Sequence, residues 1–246
     1  IMDLANFIAF FLASGLSVER LVYLQGHKKE MKVKLQKSFK DFFLEMDEFR
    51  NIRTDWEAYY LKAFKWKVDL SQVFVPPKPE GGWGDWRLIF VAKNLTCDKV
   101  FAALPFPKWR YDEGKIDDLV NIRTPTEHYA VWVRGDVEPD ADLIGKSTEK
   151  GDPDMKIGIT LLERLLFAGK YFDETGKHLD LESVTLCSGS RSGKVDCFFQ
   201  VNGPRKEISQ SVPAVDFYTG NGELRVRLLD LSDSPGRGGL RRVVSS

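Results

Sequence analysis

The composition of the chain changes abruptly at Ser211. From that residue onward Lys, Gln, Trp and Met are absent and Glu223 is the only Glu, although Lys, Glu, Gln and Trp are all used freely upstream. Gly and Ser punctuate short apolar runs in this stretch, and the Asn221-Gly222 pair is a strong signal for a hairpin turn. The last part of the chain is therefore predicted to form short strands joined by turns.

The turn signal predicts a two-stranded ribbon, in which residues 216–222 lead back into residues 223–229. Because alternate residues of a strand share a face, we expect Phe217 and Thr219 to project together with Arg225 and Arg227. Aromatic, Arg and small residues together are typical of a recognition surface. An ordinary edge hairpin is the alternative interpretation.

The rest of the chain divides at a segment rich in Pro and Gly, residues 75–82. We predict a helical N-terminal region over residues 1–80 and an α+β domain over residues 81–246. The apolar run 4–16 is shorter than a membrane-spanning helix and no basic residue precedes it. It is interpreted as a buried helix, so neither a transmembrane segment nor a signal peptide is predicted.

Within residues 81–246, unbroken apolar runs predict strands and capping patterns predict helices. Thr160 and Glu163 form a capping box that begins a helix, and that helix is expected to end before Gly176. The predicted strands are Trp86–Ala92, Tyr129–Val133 and Val184–Leu186, and Thr96 is predicted to cap a short helix that runs to Leu104.

No motif in the sequence indicates a catalytic site or a metal site. The formal net charge is zero, which argues against a dedicated nucleic-acid binder and makes self-association plausible. No GxSxG motif, P-loop or zinc-ligand spacing is present. Asp216, Asp230 and Asp233 carry oxygen ligands but lack the arrangement of an EF-hand. We predict no metal, no cofactor and no enzymatic activity.

A set of segments near the C-terminus carries a resemblance to a known family. In order, they are ITLLERLLFAGKYFDETGKHLD, a strand, LCSGSR, VPAVDF, a Gly-Asn-Gly-Glu-Leu turn and LRRVVS. This order resembles the variable proteins of diversity-generating retroelements, most specifically over residues 159–246. The resemblance implies a C-type-lectin-like domain of the formylglycine-generating-enzyme-like type, with a variable region at about residues 187–246.

The resemblance also accounts for the change in composition. In that family a reverse transcriptase misreads template adenines, so that Asn-type codons become any codon that ends in a pyrimidine. Such codons cannot encode Lys, Glu, Gln, Trp or Met, which are the residues missing after Ser211 apart from Glu223. Glu223 is then expected to belong to the fixed turn. The implied function is binding of variable ligands, a protein or a cell-surface molecule, through hypervariable positions.

The resemblance divides the C-terminal residues into two groups. The residues that look like fixed scaffold are Ser188, Gly189, Ser190, Arg191, Val212, Pro213, Val215, Gly222, Leu224, Val226, Leu240, Arg241 and Val244. The residues that look like diversified, ligand-binding positions are Phe217, Tyr218, Thr219, Arg225, Arg227, Leu228, Leu229, Ser234, Pro235, Gly236 and Arg237. The chain departs from the family at Leu228-Leu229, where a Trp is frequent, and at residues 193–210, which are interpreted as an inserted loop.

Two other functions remain open at this stage. The enzyme relatives of the implied fold use paired cysteines, but Cys187 and Cys197 do not match their motif. An oxidoreductase that uses Cys187 or Cys197 is the main alternative. The third cysteine, Cys97, stands apart in sequence. A basic N-terminal helix that acts as an interaction module is a further possibility. The sequence leaves the location open between the cytoplasm and display on a cell or virus surface, and it leaves a homo-oligomer open too.

Overall fold

A computed structural model describes residues 49–80, 86–110, 116, 118–192, 211–233 and 235–245. The predictions for the chain before residue 49, for the inserted loop 193–210 with Cys197, and for Ser234 lie outside these residues. From Ile52 onward the chain forms one compact unit. Residues 52–80 thus belong with the sheets described below, whereas the sequence suggested a boundary near residue 80.

The first part of this unit is a helix packed on a three-stranded sheet. Residues 49–64 are helical (α1). Strand β1 (Trp86–Val91) and strand β10 (Val243–Val244) both pair antiparallel with β4 (Tyr129–Arg134). Side chains of α1 bond to the backbone of β1, with Trp56 Nε1 3.1 Å from the Leu88 carbonyl oxygen and Tyr60 Oη 2.9 Å from that of Phe90. Because these polar atoms are satisfied, both aromatic rings are buried at little polar cost.

Two of the remaining helices begin at the N-caps that the sequence predicts. Thr96 is the N-cap of α2 (Cys97–Ala103), and α3 (Thr148–Gly151) is a single turn. The long helix α4 (Leu161–Thr175) begins at the capping box of Thr160 and Glu163 and ends at Gly176, which has a left-handed φ of 67°. These contacts confirm both predicted helices.

A five-stranded mixed sheet holds the C-terminal part of the chain, in the order β2-β8-β7-β5-β9. Its strands are β2 (Lys108–Arg110), β5 (Val184–Leu186), β7 (Ser211–Tyr218), β8 (Glu223–Asp230) and β9 (Gly238–Leu240). β2 runs parallel to β8 and β9 runs parallel to β5, whereas the other pairs are antiparallel. A separate antiparallel pair joins β3 (Leu119–Asn121) to β6 (Ser190–Ser192).

This mixture of helices and sheets confirms the α+β class, and the three strands predicted from apolar runs are all present. The finer assignment to a C-type-lectin fold remains a prediction. Among the described residues, no helix combines the length and the apolar character needed to cross a bilayer.

Candidate binding surface

Strands β7 and β8 form the predicted ribbon, and its register decides which side chains share a face. Tyr218 is paired with Glu223, which leaves a four-residue turn from Thr219 to Gly222. Gly222 has a φ of 65° in this turn, a conformation that costs glycine little. The ribbon predicted from the Asn221-Gly222 pair is therefore confirmed.

The predicted composition of the ribbon face is wrong by one residue. Arg225 lies opposite Asp216, whereas Phe217 lies opposite Leu224, so Phe217 and the two arginines occupy opposite faces. Thr219 lies in the turn and not in the strand. Tyr218, and not Phe217, shares the face of the two arginines.

One face of the ribbon carries a cluster of two arginines and one carboxylate. Asp216 lies beneath both arginines, with its side chain only 8% exposed. Arg225 and Arg227 each donate from Nη2 to a different oxygen of Asp216, the Arg227 bond being 2.9 Å long. Their side chains are 25% and 28% exposed. The shared carboxylate holds both guanidinium groups in one place while they remain accessible to solvent.

Two aromatic side chains extend this arginine cluster. The Arg225 guanidinium carbon lies 4.1 Å from the centre of the Tyr218 ring, a cation–π contact, and Tyr218 is 42% exposed. On the neighbouring strand, Trp109 is in register with Arg225 and is 43% exposed. Partners in adjacent strands share a face. We call Trp109, Tyr218, Arg225 and Arg227 the ribbon face.

Farther from the hairpin turn, the side of the sheet that carries the two arginines is buried in the core. Leu186, Ala214 and Leu240 form a buried cluster with Leu143, and Leu229 packs against it. The ribbon face is thus the solvent-accessible end of a surface whose other end is core. Of the predicted ligand-binding positions, Leu229 is the one that joins this core.

The opposite side of the ribbon is buried. Phe217 is 8% exposed and its ring stacks on His178, with 3.6 Å between ring centres and 10° between planes. Phe106 and Phe172 complete this aromatic cluster. Partial burial in it lowers the pKa of His178. Phe217 therefore acts as a packing residue in this structure and is not available to a ligand at the surface.

The predicted positions after β8 lie at a second place on the surface. Gly236 and Arg237 are exposed and Pro235 is half-buried. Leu228 belongs to β8 instead, where it is half-buried and shares the face of Phe217. Gly236 and Arg237 border an open groove with Ile144, Ser183 and two acidic residues, Glu138 and Glu182. Apart from Phe217 and Leu228, the described diversified positions thus fall in two places, the ribbon and this groove, which differ in charge.

The LCSGSR segment is a buried anchor for the loop that precedes α4. Ser188 Oγ donates to Asp152 at 2.7 Å, and the Leu161 amide donates to Ser190 Oγ at 2.9 Å. Arg191 donates to the carbonyl oxygens of Ser190 and Asp152. A Cβ at Gly189 would lie 2.6 Å from the Gly158 carbonyl oxygen, so only glycine permits this close approach.

The LRR segment supplies a second buried anchor. Arg241 is fully buried and donates to the carbonyl oxygens of Arg134, Asp136 and Val137, as well as to Asp180 at 3.0 Å. Asp180 also accepts from Arg164 of α4 at 2.7 Å. The arginine cross-links the end of the chain to β4 and α4, which explains why a charged residue is part of the core.

The capping box of α4 contains a further buried carboxylate, Glu163, paired with Arg123. Glu163 bonds to the Thr160 amide at 2.8 Å and to Arg123 at 2.7 Å. Burial alone would raise the pKa of Glu163, but the Arg123 charge and the hydrogen bonds from Arg123 and Thr160 outweigh it, so the pKa is lowered.

The described cysteines do not form a reactive site. Cys187 is fully buried, and burial raises the pKa of its thiol well above the usual range. Cys97 is also buried, and Cys197 lies outside the described residues. Within the described part of the chain, no group of His, Cys, Asp and Glu residues is placed to hold a metal ion. Asp216, considered above as an oxygen ligand, is instead paired with arginines.

The sequence did not indicate that Trp109 joins the ribbon face or that Asp216 binds its two arginines. Trp109 joins the ribbon face through a parallel pairing of segments more than a hundred residues apart, and no local pattern indicates that. The role of Asp216 had a usable signal, because an aspartate in one strand and an Arg-x-Arg sequence in the next can form cross-strand ion pairs.

No protein-family model matches the chain, and comparison with curated proteins and with solved structures finds no significant similarity.

Proposed function

We propose that this chain is the variable protein of a diversity-generating retroelement, and that it binds a protein or a cell-surface molecule through its C-terminal region. The α+β unit would then be a form of the C-type-lectin fold. In this function the protein acts by recognition and catalyses no reaction.

The observation that carries the proposal is how burial divides the two groups of residues named from the sequence. Every scaffold position is buried except Gly222 and Val244, which are half-exposed. Every described diversified position reaches solvent at least in part except Phe217. Since substitutions at solvated positions mostly change stability by less than about 0.5 kcal/mol, such positions can vary while the fold is kept.

The two buried anchors support the same division. The Ser188–Arg191 contacts hold the loop that precedes α4, and the Arg241 contacts hold the segment between β9 and β10; neither set uses a diversified side chain. A surface whose scaffold is stabilised elsewhere can be diversified. The burial of Cys187 supports binding over the oxidoreductase alternative, because a thiol that is buried and protonated is a poor nucleophile.

Sequencing of the gene across a natural population tests the proposal. We expect substitutions at codons for Tyr218, Thr219, Arg225, Arg227 and the 235–237 segment, each traceable to a template adenine, and a reverse transcriptase gene nearby. The codons of α4, Leu161–Thr175, serve as the internal control and are expected to stay constant. Equal variation in α4 and in the ribbon, or the lack of an adenine-differing repeat, would refute the proposal.

A further inference from the structure

We infer that the ribbon face binds a peptide segment of a protein partner in which an acidic side chain stands beside an apolar one. This inference rests on the proposed binding function and names the chemistry of its partner. It is carried by the charge of the arginine cluster and by the two exposed aromatic rings beside it.

The charge of the arginine cluster is not fully compensated within it. Arg225 and Arg227 share the single carboxylate of Asp216, which leaves one positive charge at the surface. Both use Nη2 for Asp216, and neither makes a hydrogen bond from Nη1 to any residue that the structure describes. These Nη1 groups can donate to an incoming carboxylate, which guanidinium groups bind in planar pairs.

The arginines are held in place before a ligand arrives. Asp216 fixes both guanidinium groups from below, and the Tyr218 ring lies against Arg225 at 4.1 Å. A partner therefore has less side-chain freedom to remove on binding than it would with unsupported arginines. This preorganisation favours a directional contact over a diffuse attraction between charges.

The aromatic rings supply the apolar part of the surface. Trp109 and Tyr218, at 43% and 42% exposed, flank Arg225 on the strand beside it and at the hairpin end. Exposed Trp, Tyr and Arg together are the residues most enriched at the energetic centres of protein interfaces. They fit an aliphatic or aromatic side chain next to the acidic one.

The neighbouring acidic groups limit this chemistry to the ribbon face. Glu223 is paired with Tyr218 and shares the face of the two arginines, but it lies at the hairpin end, beyond Arg225, where Asn221 donates to it at 3.3 Å. The groove at Arg237 is bordered by Glu138 and Glu182, which oppose an anion. An acidic segment is thus attracted to one of the two diversified places and repelled from the other.

Selection from a display library of short random peptides on the full chain tests the inference. We expect enriched peptides to carry Asp or Glu next to an aromatic or aliphatic residue. Resynthesis with Asn or Gln at the acidic positions is expected to weaken binding about tenfold or more. This change leaves the protein untouched, so it is independent of any effect on folding.

Variants of the chain locate the binding. R225Q/R227Q is expected to weaken binding of the selected acidic peptide about tenfold. The control K146Q/K177Q removes the same charge from exposed lysines outside the ribbon face and is expected to change it less than about twofold. Equal losses in both variants, or no loss in R225Q/R227Q that remains folded by circular dichroism, would overturn the inference.

The selection also separates this inference from the proposed function. Peptides that bind the ribbon face without any acidic preference would refute the acidic partner and leave a diversified binder standing. A uniform gene in the population would refute the diversified binder, whereas the acidic preference is measured on the single sequence described here.

Discussion

Two aspartates of this protein each hold two arginines, one pair in the core and one at the surface. Asp180 joins Arg164 and Arg241, and all three side chains are at most 1% exposed. Asp216 joins Arg225 and Arg227, whose side chains are about a quarter exposed. The same combination of one carboxylate and two guanidinium groups therefore occurs twice, in different surroundings.

The surroundings decide what each cluster does. Arg241 reaches three backbone carbonyls besides Asp180 and so connects separate parts of the fold, whereas the Asp216 cluster connects two adjacent strands of one ribbon. A buried charge that loses its partner destabilises the protein strongly, but one near solvent is screened. The core cluster is therefore expected to resist change and the surface cluster to tolerate it.

Replacing Asp180 by Asn is expected to have the largest effect, a loss of about 3–5 kcal/mol in the free energy of unfolding, because Arg164 and Arg241 would stay charged and buried after losing the carboxylate that both bind. Asp180 has a φ of 55°, which Asn adopts readily, so the substitution tests charge and not backbone strain. Urea unfolding measures the loss. A loss below about 1 kcal/mol would remove the distinction between the two clusters.

Glu163→Gln tests a buried carboxylate with a single arginine. Because the Arg123 side chain is 13% exposed and can still reach water, we expect a smaller loss, about 2–3 kcal/mol at pH 7. The pKa of Glu163 is lower in the folded state than its ordinary value of 4.5. The ionised Glu163 therefore contributes to the free energy of unfolding above pH 4.5, and this contribution is lost as the pH falls through the pKa of the folded state. Thermal unfolding of both proteins between pH 7 and pH 3 should show the difference shrinking in acid. If the difference in stability between the two proteins grew below pH 4.5, the pKa of Glu163 would not be lowered by folding.

Asp216→Asn is the surface counterpart of Asp180→Asn. We expect a loss of about 1–2 kcal/mol, because the carboxylate is buried but both arginines can turn to water. The two variants are compared under the same urea titration. Similar losses for both would show that the Asp216 cluster is as structural as the core one.

The smallest effect is the coupling between Arg225 and Arg227. Because one arginine still satisfies Asp216, either single change to Gln is expected to cost less than half of the double change, with a coupling of about 0.5–1 kcal/mol. Unfolding free energies of the two single variants and the double variant measure it. Strict additivity would mean that the arginines do not share the carboxylate in solution.

Local patterns in the sequence predicted the regular elements well. The capping box of Thr160 and Glu163 and the apolar runs of β1 and β4 depend on neighbours close in sequence, so they are readable without a structure. The three-residue strands β2, β3 and β6 have no such period. They exist because distant segments pair with them, and a single sequence does not encode that pairing locally.

The sequence located the ribbon correctly but assigned the wrong aromatic residue to the face with the arginines. The Asn221-Gly222 signal located the ribbon, but the length of the turn sets the register, and a shift of one residue exchanges the faces. The structure has four turn residues, which place Tyr218 beside the arginines and Phe217 against His178. A weak signal was available, because Tyr218 carries a polar hydroxyl and Phe217 does not, which favours Phe217 as the buried residue of the pair.

The strands at the end of the chain have a consequence for synthesis. β9 belongs to the five-stranded sheet and β10 to the three-stranded sheet, with Arg241 between them. Neither sheet is complete until the ribosome has made residues 238–244. A nascent chain that lacks them exposes unpaired edges of two sheets, so native folding waits for the segment that the proposed retroelement would rewrite.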